Sequence, residues 1–228
     1  MAGDKDSFDE QMKILDKVVA AGVFDVIKNE LESAKELFNR FYEDTEKRTL
    51  VENKIKSSWF ALPVLFRIEL LTTMAGFAAD HNDKGKALEL INEAQLLLDN
   101  HVWDPENQIA TTAQLVKLRC RADDLEKAAA CADAALALFN DKRDSIINIH
   151  RAGVLRPLAE GYQSMGDKDK ALSVCKQAVE EGIVNINSRP RAEDLSATCC
   201  SMALYAVEPD AGLWTRIHQI REALGDPW

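Results

Sequence analysis

Four histidines are the residues of this 228-residue chain best suited to acid–base or metal chemistry, and they lie far apart in the sequence. They are His81, His101, His150 and His218. None belongs to the His-Glu-x-x-His pattern that places two zinc ligands on one helix face. The ten glycines are scattered, so there is no glycine-rich phosphate loop, and the Gly-x-Ser-x-Gly elbow of serine hydrolases is missing as well. We therefore predict no catalytic residues and no cofactor.

One segment begins like a calcium-binding loop, with Asp80, Asn82 and Gly85 in register. Lys84 stands where such a loop needs an oxygen ligand, and Ile91 occupies the position of the bidentate glutamate. We therefore predict no metal site.

The chain has five cysteines, an odd number, and no spacing among them matches a paired Cys-x-x-Cys zinc motif. They are Cys120, Cys131, Cys175, Cys199 and Cys200. Four of them stand beside Ala, Ser or Val in apolar helical stretches. The pattern is typical of small core residues in a reducing compartment, and a vicinal disulfide between Cys199 and Cys200 is the alternative.

The charge of the chain is strongly negative, because 38 acidic residues outnumber 28 basic ones and leave a net charge of −10. Such a charge repels phosphate backbones and anionic membranes, so we expect neither nucleic acid nor membrane as a partner. The first nine residues lack the basic and apolar regions of a signal peptide, and the longest apolar run, Trp59–Phe66, is far shorter than the roughly 20 residues of a membrane span. We predict a cytoplasmic protein, although removal of an export signal would leave the same sequence.

The composition favours helices, since 30 Ala and 25 Leu accompany only 10 Gly and 6 Pro. Met12, Leu15, Val18 and Val19 predict a first short helix that ends at Gly22. A longer helix is expected over about Val23–Arg48. Its apolar stripe consists of Val23, Ile27, Leu31, Ala34, Leu37 and Phe41. Leu50–Ala79 reads as one or two helices, with Pro63 as a kink or a helix start.

Three tryptophans carry predictions of their own. Trp59 and Trp214 stand in apolar helical context and are predicted core residues. Trp228, the last residue, is expected to dock on the final helix pair or to mark a partner contact. Gly182, after two glutamates, is predicted to cap the C-terminus of a helix.

Small residues recur at a nearly constant interval in the rest of the chain. Ala87, Ala128, Ala171 and, more weakly, Ala211 each follow a tight charged turn and lie 41, 43 and 40 residues apart. A second alanine follows the first three after seven residues, at Ala94, Ala135 and Ala178. Small side chains at these places let two antiparallel helices approach each other closely. The interval therefore predicts repeated helix pairs.

The best copy of this repeat resembles the tetratricopeptide repeat family. It has Leu155, Leu158, Ala159 and Tyr162 at the spacing of the family's first helix, then Gly166 in the turn and Ala171, Cys175 and Ala178 in the second helix. Copies around Leu71 and Leu115 are looser, and Arg119 stands where the motif has Tyr. The interval of 40 to 43 residues exceeds the family's 34, so we expect helices about one turn longer.

The resemblance implies an all-α fold, a right-handed α-solenoid of antiparallel helix pairs. Four repeats are assigned to about 64–103, 104–143, 144–187 and 188–228, which together form the domain 64–228. Residues 1–63 are expected to form an N-terminal helical cap or diverged helix pairs.

Family members of this kind bind peptides along the concave face made by the first helices. Carried over to this chain, the groove positions are Glu69, Thr72, Thr73 and Asp80 in the first copy, Gln114, Lys117 and Arg121 in the second, and Arg156, Glu160 and Gln163 in the third. Lys117, Arg121 and Arg156 would present three cations, which suit an acidic peptide or a C-terminal carboxylate. The alternative is that these residues are ordinary solvated charges.

The resemblance therefore implies a non-enzymatic protein–protein interaction module, a scaffold or adaptor that binds a partner protein or peptide. Two alternatives remain open. The first is self-assembly through the N-terminal helices, for example into a homodimer, since the stripe from Val23 to Leu37 suits a dimer as well as an intramolecular cap. An enzyme or ligand-binding protein with a pocket between long helices is the third reading.

Overall fold

The structure, a computed structural model, describes residues 2–21 and 24–224, and these form helices joined by short turns without any β-strand. The prediction of an all-α fold is confirmed. The helices within the described ranges are α1 Ala2–Ala21, α2 Phe24–Arg40, α3 Thr45–Ser58, α4 Val64–Asp80, α5 Lys84–Asp99, α6 Pro105–Arg121, α7 Leu125–Lys142, α8 Asn148–Ser164, α9 Lys168–Gly182, α10 Ser188–Leu204 and α11 Ala211–Ala223. The predicted helix end at Gly22, the stripe residue Val23 and the predicted docking of Trp228 lie outside the described residues. A right-handed superhelix stays a prediction.

The chain divides into two compact units, Met1–His101 and Val102–Trp228, whereas the sequence suggested a boundary after residue 63. The pair α4–α5 groups with the N-terminal helices because it packs on them. Helix α4 contacts α2, and the ammonium group of Lys86 on α5 lies 2.7 Å from the buried carboxylate of Glu52 on α3. Lys56 on α3 lies 2.5 Å from Glu93 on α5 in the same way.

The N-terminal helices differ from the prediction in two places. Helix α1 has 20 residues, whereas a short helix was expected. Helix α2 ends at Arg40, not among residues 43–48, because Asp44 begins a new helix by accepting a hydrogen bond of 3.1 Å from the amide of Lys47. The apolar stripe packs within this unit, since Ile27, Leu31, Ala34 and Leu37 are all at most 7% exposed. The predicted helix break at Pro63 is confirmed, with α4 starting at the next residue.

The predicted helix pairs are confirmed for α4–α5, α6–α7 and α8–α9, which pack extensively within the first three assigned repeats. In the fourth assigned repeat, α10 packs on α8 and α9 and has little contact with α11. The turns after α4, α6, α8 and α10 share one backbone geometry. In each turn, one residue after the first helix has a positive φ. These residues are Asn82, Asp123, Gly166 and Ala206, and they recur at the same intervals of 41, 43 and 40 residues as the alanines.

The amide of the next residue in each turn donates to the carbonyl five positions back, as in a Schellman motif. These bonds are Asp83 to Ala78 (2.9 Å), Asp124 to Arg119 (2.9 Å), Asp167 to Tyr162 (3.0 Å) and Val207 to Met202 (2.8 Å). In the first three turns that next residue is also the aspartate that precedes the second helix. In the fourth turn the cap is Asp210, three residues further on.

The small residues of the repeat are buried where the helices of a pair meet, with Ala87, Ala128 and Ala171 all fully buried. Ala211 does not belong to this set, because it is the exposed first residue of α11. The residue at the position of the motif tyrosine is buried on both α6 and α8 in the second unit. Tyr162 donates to Asp133 at 2.7 Å, and Arg119 occupies the equivalent place with its guanidinium 2.7 Å from Asp124.

Close approach between pairs depends on glycine. A Cβ atom on Gly161 of α8 would lie 2.7 Å from Cγ1 of Val116 on α6, and one on Gly182 would lie 2.9 Å from Cβ of Asp194 on α10. The prediction that Gly182 caps the C-terminus of a helix is wrong by one residue, because the cap of α9 is Ile183. Gly182 is the last residue of α9, and it lets α10 pack against that helix.

The tryptophans give a mixed result. Trp59 is buried as predicted, but Trp214 is 50% exposed. The buried side of α11 is formed by Leu213, Ile217 and Ile220, and Trp214 stacks on His218 at a centroid distance of 6.0 Å instead.

The two glycines of α8 should respond in opposite ways to alanine. Gly161→Ala forces a methyl group against Val116 and should lower the free energy of unfolding by about 1–3 kcal/mol. A Cβ atom on Gly153 would fit, since its nearest neighbour, the side chain of Arg156, would lie 3.6 Å away. Gly153→Ala should therefore raise the free energy of unfolding by up to about 1 kcal/mol through helix propensity. Urea denaturation measures both. Equal changes in the free energy of unfolding for the two variants would contradict the close approach of α8 to α6. Adding Val116→Ala should restore part of the stability that Gly161→Ala loses.

The cap of α6 makes the stability depend on pH. The amide of Asn107 donates to Asp104 at 2.9 Å and lowers the pKa of that carboxyl. Because the native pKa lies below the unfolded value, the contribution is complete above about pH 4 and is lost as the pH falls through the native pKa. Asp104→Ala should cost about 1 kcal/mol at pH 7 and less at pH 2, measured by urea denaturation. Asp141→Ala, at an exposed aspartate of α7, is the control. A stability difference between wild type and Asp104→Ala that grows as the pH falls would refute the cap.

Candidate functional site

Three first helices lie side by side in the second unit, since α8 contacts both α6 and α10. We call the side of these helices that carries Lys117, Arg156, Glu160, Gln163 and Asp194 the first-helix face. Gln114 and Arg121 on α6, Ser164 on α8, and Ser196 and Cys200 on α10 are exposed to solvent on these helices. Six of the ten predicted groove residues belong to this unit.

A row of polar contacts crosses all three helices of the first-helix face. The ammonium group of Lys117 on α6 donates to one carboxylate oxygen of Glu160 on α8 at 2.8 Å. The hydroxyl of Ser201 on α10 donates to the other oxygen of Glu160, also at 2.8 Å. Lys117 further lies 5.9 Å from the ring centroid of Tyr205. Glu160 is thereby held from both sides and fixes the two flanking helices relative to α8.

Two further contacts join α8 to α10 and the turn that follows it. Arg156 donates to Asp194 at 2.9 Å, and both side chains are at most 20% exposed. The amide nitrogen of Gln163 donates to the carbonyl of Ala206 at 3.2 Å. The amide oxygen of Gln163 is buried without a hydrogen-bond partner. A shallow cleft beside Gln163 is lined by Lys168, Leu172 and Glu208.

The groove cations therefore differ from one another. Lys117 and Arg156 each have a carboxylate partner on the neighbouring first helix and are partly buried. Arg121 lies at the end of α6 and is more exposed to solvent than either. The sequence contained a signal for these pairs that was missed. Lys117 and Glu160 are 43 residues apart, and Arg156 and Asp194 are 38 apart, close to one repeat interval in both cases. Opposite charges at this separation face each other on adjacent first helices.

The remaining four groove residues lie on α4, in the first unit. The hydroxyls of Thr72 and Thr73 donate to the carbonyl of Glu69 at 3.0 and 2.8 Å, so both are engaged with their own helix. Glu69 and Asp80 are exposed. Asp80 ends α4, next to the turn that carries Asn82.

The segment that begins like a calcium loop forms this α4–α5 turn. The carboxylate of Asp83 accepts bonds from the amide of Lys86 at 2.9 Å and from the hydroxyl of Tyr42 at 2.9 Å. Over the described part of the chain, no three His, Cys, Asp or Glu side chains gather into a group that could hold a metal ion. No helix in these same ranges has both the length and the apolar character of a membrane span.

The cysteines are all free and differ in exposure. Burial raises the pKa of the Cys175 thiol to about 11, and it also raises the pKa values of Cys120 and Cys199. Cys200 is exposed on α10, so the prediction of a core residue is wrong for this cysteine. The alternative of a disulfide with Cys199 is not realised.

Cys200 should react fastest with a thiol reagent, because it is exposed while Cys175 is buried and the other three are partly covered. Titration with 5,5′-dithiobis(2-nitrobenzoic acid) should show one fast thiol at neutral pH, and Cys200→Ser should abolish that phase. Cys175→Ser should leave the fast phase unchanged. A fast phase that survives Cys200→Ser would contradict the placement of this side chain on the exposed side of α10.

Comparison of the chain with family models, curated proteins and solved structures finds no match.

Proposed function

We propose that this chain is a protein–protein interaction module of the tetratricopeptide-repeat type, which binds a peptide or a segment of a partner protein in the cytoplasm. The observation that supports it is the row Lys117–Glu160–Ser201, which joins three successive first helices by hydrogen bonds of 2.8 Å. A surface held in this way exists before a ligand arrives, so binding orders few side chains.

The chemistry of the face favours a ligand with carboxylates. Arg121 and Gln114 lie exposed on α6, seven residues apart and hence on the same side of the helix. Lys117 lies between them in the sequence and is 29% exposed, so a ligand carboxylate can approach its ammonium group from solvent. The ligand carboxylate then shares Lys117 with Glu160, and Arg121 supplies the bidentate partner.

Self-assembly through the N-terminal helices is the alternative function, and it stays a prediction. The stripe on α2 that suggested a dimer is covered by other helices of the first unit, with Leu31 fully buried. A dimer on this stripe would require the N-terminal helices to open. We therefore favour the interaction module.

The proposed groove can be tested by selecting peptides from a random phage-displayed library on the whole chain. The selected peptides should be rich in Asp and Glu. Their affinity, measured by fluorescence anisotropy, should fall at least about tenfold with Arg121→Glu, since a charged hydrogen bond contributes about 1.5–3 kcal/mol. The double variant Lys117→Met/Glu160→Gln, which removes one cation without leaving a carboxylate unpaired, should have a similar effect.

Lys127→Glu, at an exposed position of the second helix α7, is the matched control and should leave the affinity unchanged. Selection of no peptide, or of peptides that bind all variants equally, would refute a groove on the first-helix face.

A further inference from the structure

The first-helix face changes its chemistry from α6 to α10. Equivalent positions on the three helices are found by counting back from the residue with positive φ in each turn. Six positions back lie Lys117, Glu160 and Cys200. Two positions back lie Arg121, Ser164 and Leu204. Both rows therefore begin with a cation on α6 and end with an uncharged side chain on α10.

The last turns of α10 expose a small apolar surface. Residues 195–207 contain no Asp, Glu, Lys or Arg, although 29% of the whole chain is charged. Leu204 is 83% exposed, and Cys200 and Ala203 are exposed about one helical turn or less before it. Residues three and four apart lie on one side of a helix, so these three side chains form one surface. We call Cys200, Ala203 and Leu204 the apolar end.

The charged side chains around the apolar end do not favour a ligand carboxylate there. A cleft just beyond α10 is lined by one cation, Lys168, and by two carboxylates, Asp169 and Glu208. On the neighbouring helix α8, Glu160 is a further carboxylate, and the cation bonded to it, Lys117, belongs to α6. A ligand therefore places its acidic residue on α6, and the apolar end is left for an uncharged side chain.

The polar residues between the two ends suit an extended peptide. Such a peptide leaves backbone N–H and C=O groups that need partners, and Ser164 on α8 and Ser196 on α10 are exposed. The hydroxyl of Ser164 donates to the carbonyl of Glu160 at 2.8 Å and can still accept a bond from a peptide N–H. A ligand helix would instead need apolar contacts along its length, whereas the two rows offer apolar side chains on α10 alone.

The distance between the two ends sets the spacing of residues in the ligand. Helix α8 contacts both α6 and α10, and helices in contact lie about 8–10 Å apart, so α6 and α10 are about 16–20 Å apart. An extended chain advances about 3.3 Å per residue, so residues bound on α6 and on α10 should be about five or six positions apart.

We propose that the first-helix face binds an extended peptide with two anchors about five or six positions apart. The first anchor is an Asp or Glu on Lys117 and Arg121, and the second is a large apolar residue on the apolar end. This inference rests on the function proposed above, because it describes the ligand of the same face. It adds the second anchor and the distance between the two.

The test uses peptides selected on the whole chain from a random library, which should combine an acidic and an apolar residue at this spacing. Leu204→Asp should lower their affinity at least about tenfold, since it replaces an apolar contact by a carboxylate. Leu204→Met should keep the affinity. Leu125→Asp, the same change at an exposed leucine of the second helix α7, is the matched control and should also keep it.

A second measurement locates the apolar anchor directly. A selected peptide is made with cysteine in place of its apolar residue and is activated as a pyridyl disulfide. The Cys200 thiolate should attack the peptide sulfur, form a disulfide with the peptide and release pyridine thione. The reaction should be at least about tenfold faster than with cysteine at the acidic position, because binding raises the local concentration of the reacting groups. Cys200→Ser should abolish it.

The outcomes separate this inference from the proposed function. Affinity that falls with Arg121→Glu but not with Leu204→Asp would overturn the apolar anchor and leave the acidic groove standing. Selected peptides with another spacing, an equal loss of affinity with Leu125→Asp, or faster reaction of Cys200 with the acidic position would also overturn it. Selection of no peptide would refute both proposals.

Discussion

The reversal of the chain after α4, α6, α8 and α10 depends on one left-handed residue in each turn. A helix leaves its last carbonyl groups without partners, and the positive φ of Asn82, Asp123, Gly166 or Ala206 turns the next amide back to bond with one of them. The chain then leaves in the direction that starts an antiparallel helix. Only one of the four residues is glycine, so the backbone geometry recurs although the side chains differ. The burial of the alanines and the alignment of successive first helices both follow from this reversal.

The sequence predicted the repeated pairs well because close packing restricts residue size. Two helices can approach closely only where both carry small residues, and this requirement leaves a periodic trace of alanine. The prediction failed where a local capping signal overrode the apolar pattern, and where predicted core residues of the last described helix lie exposed. The cap at Asp44 ended α2 earlier than its apolar stripe suggested, and Ala211 and Trp214 lie exposed on the last described helix.

The site was harder to predict because its pairs join different repeats. Groove residues were assigned by their position within one helix, and this gave Lys117 and Arg156 correctly as residues of the first helices. Their carboxylate partners follow about one repeat later in the chain. Each of these two cations already has a carboxylate partner within the fold. A ligand carboxylate must therefore share the cation with that partner.

The hydrogen bonds that close each turn span only five residues, and this locality bears on how the chain folds during synthesis. Each pair can form its turn and bury its alanines as soon as about 40 residues have left the ribosome, before the next pair exists. Contacts close in sequence lower the entropy lost in reaching the native topology, so folding should be fast for a chain of this length.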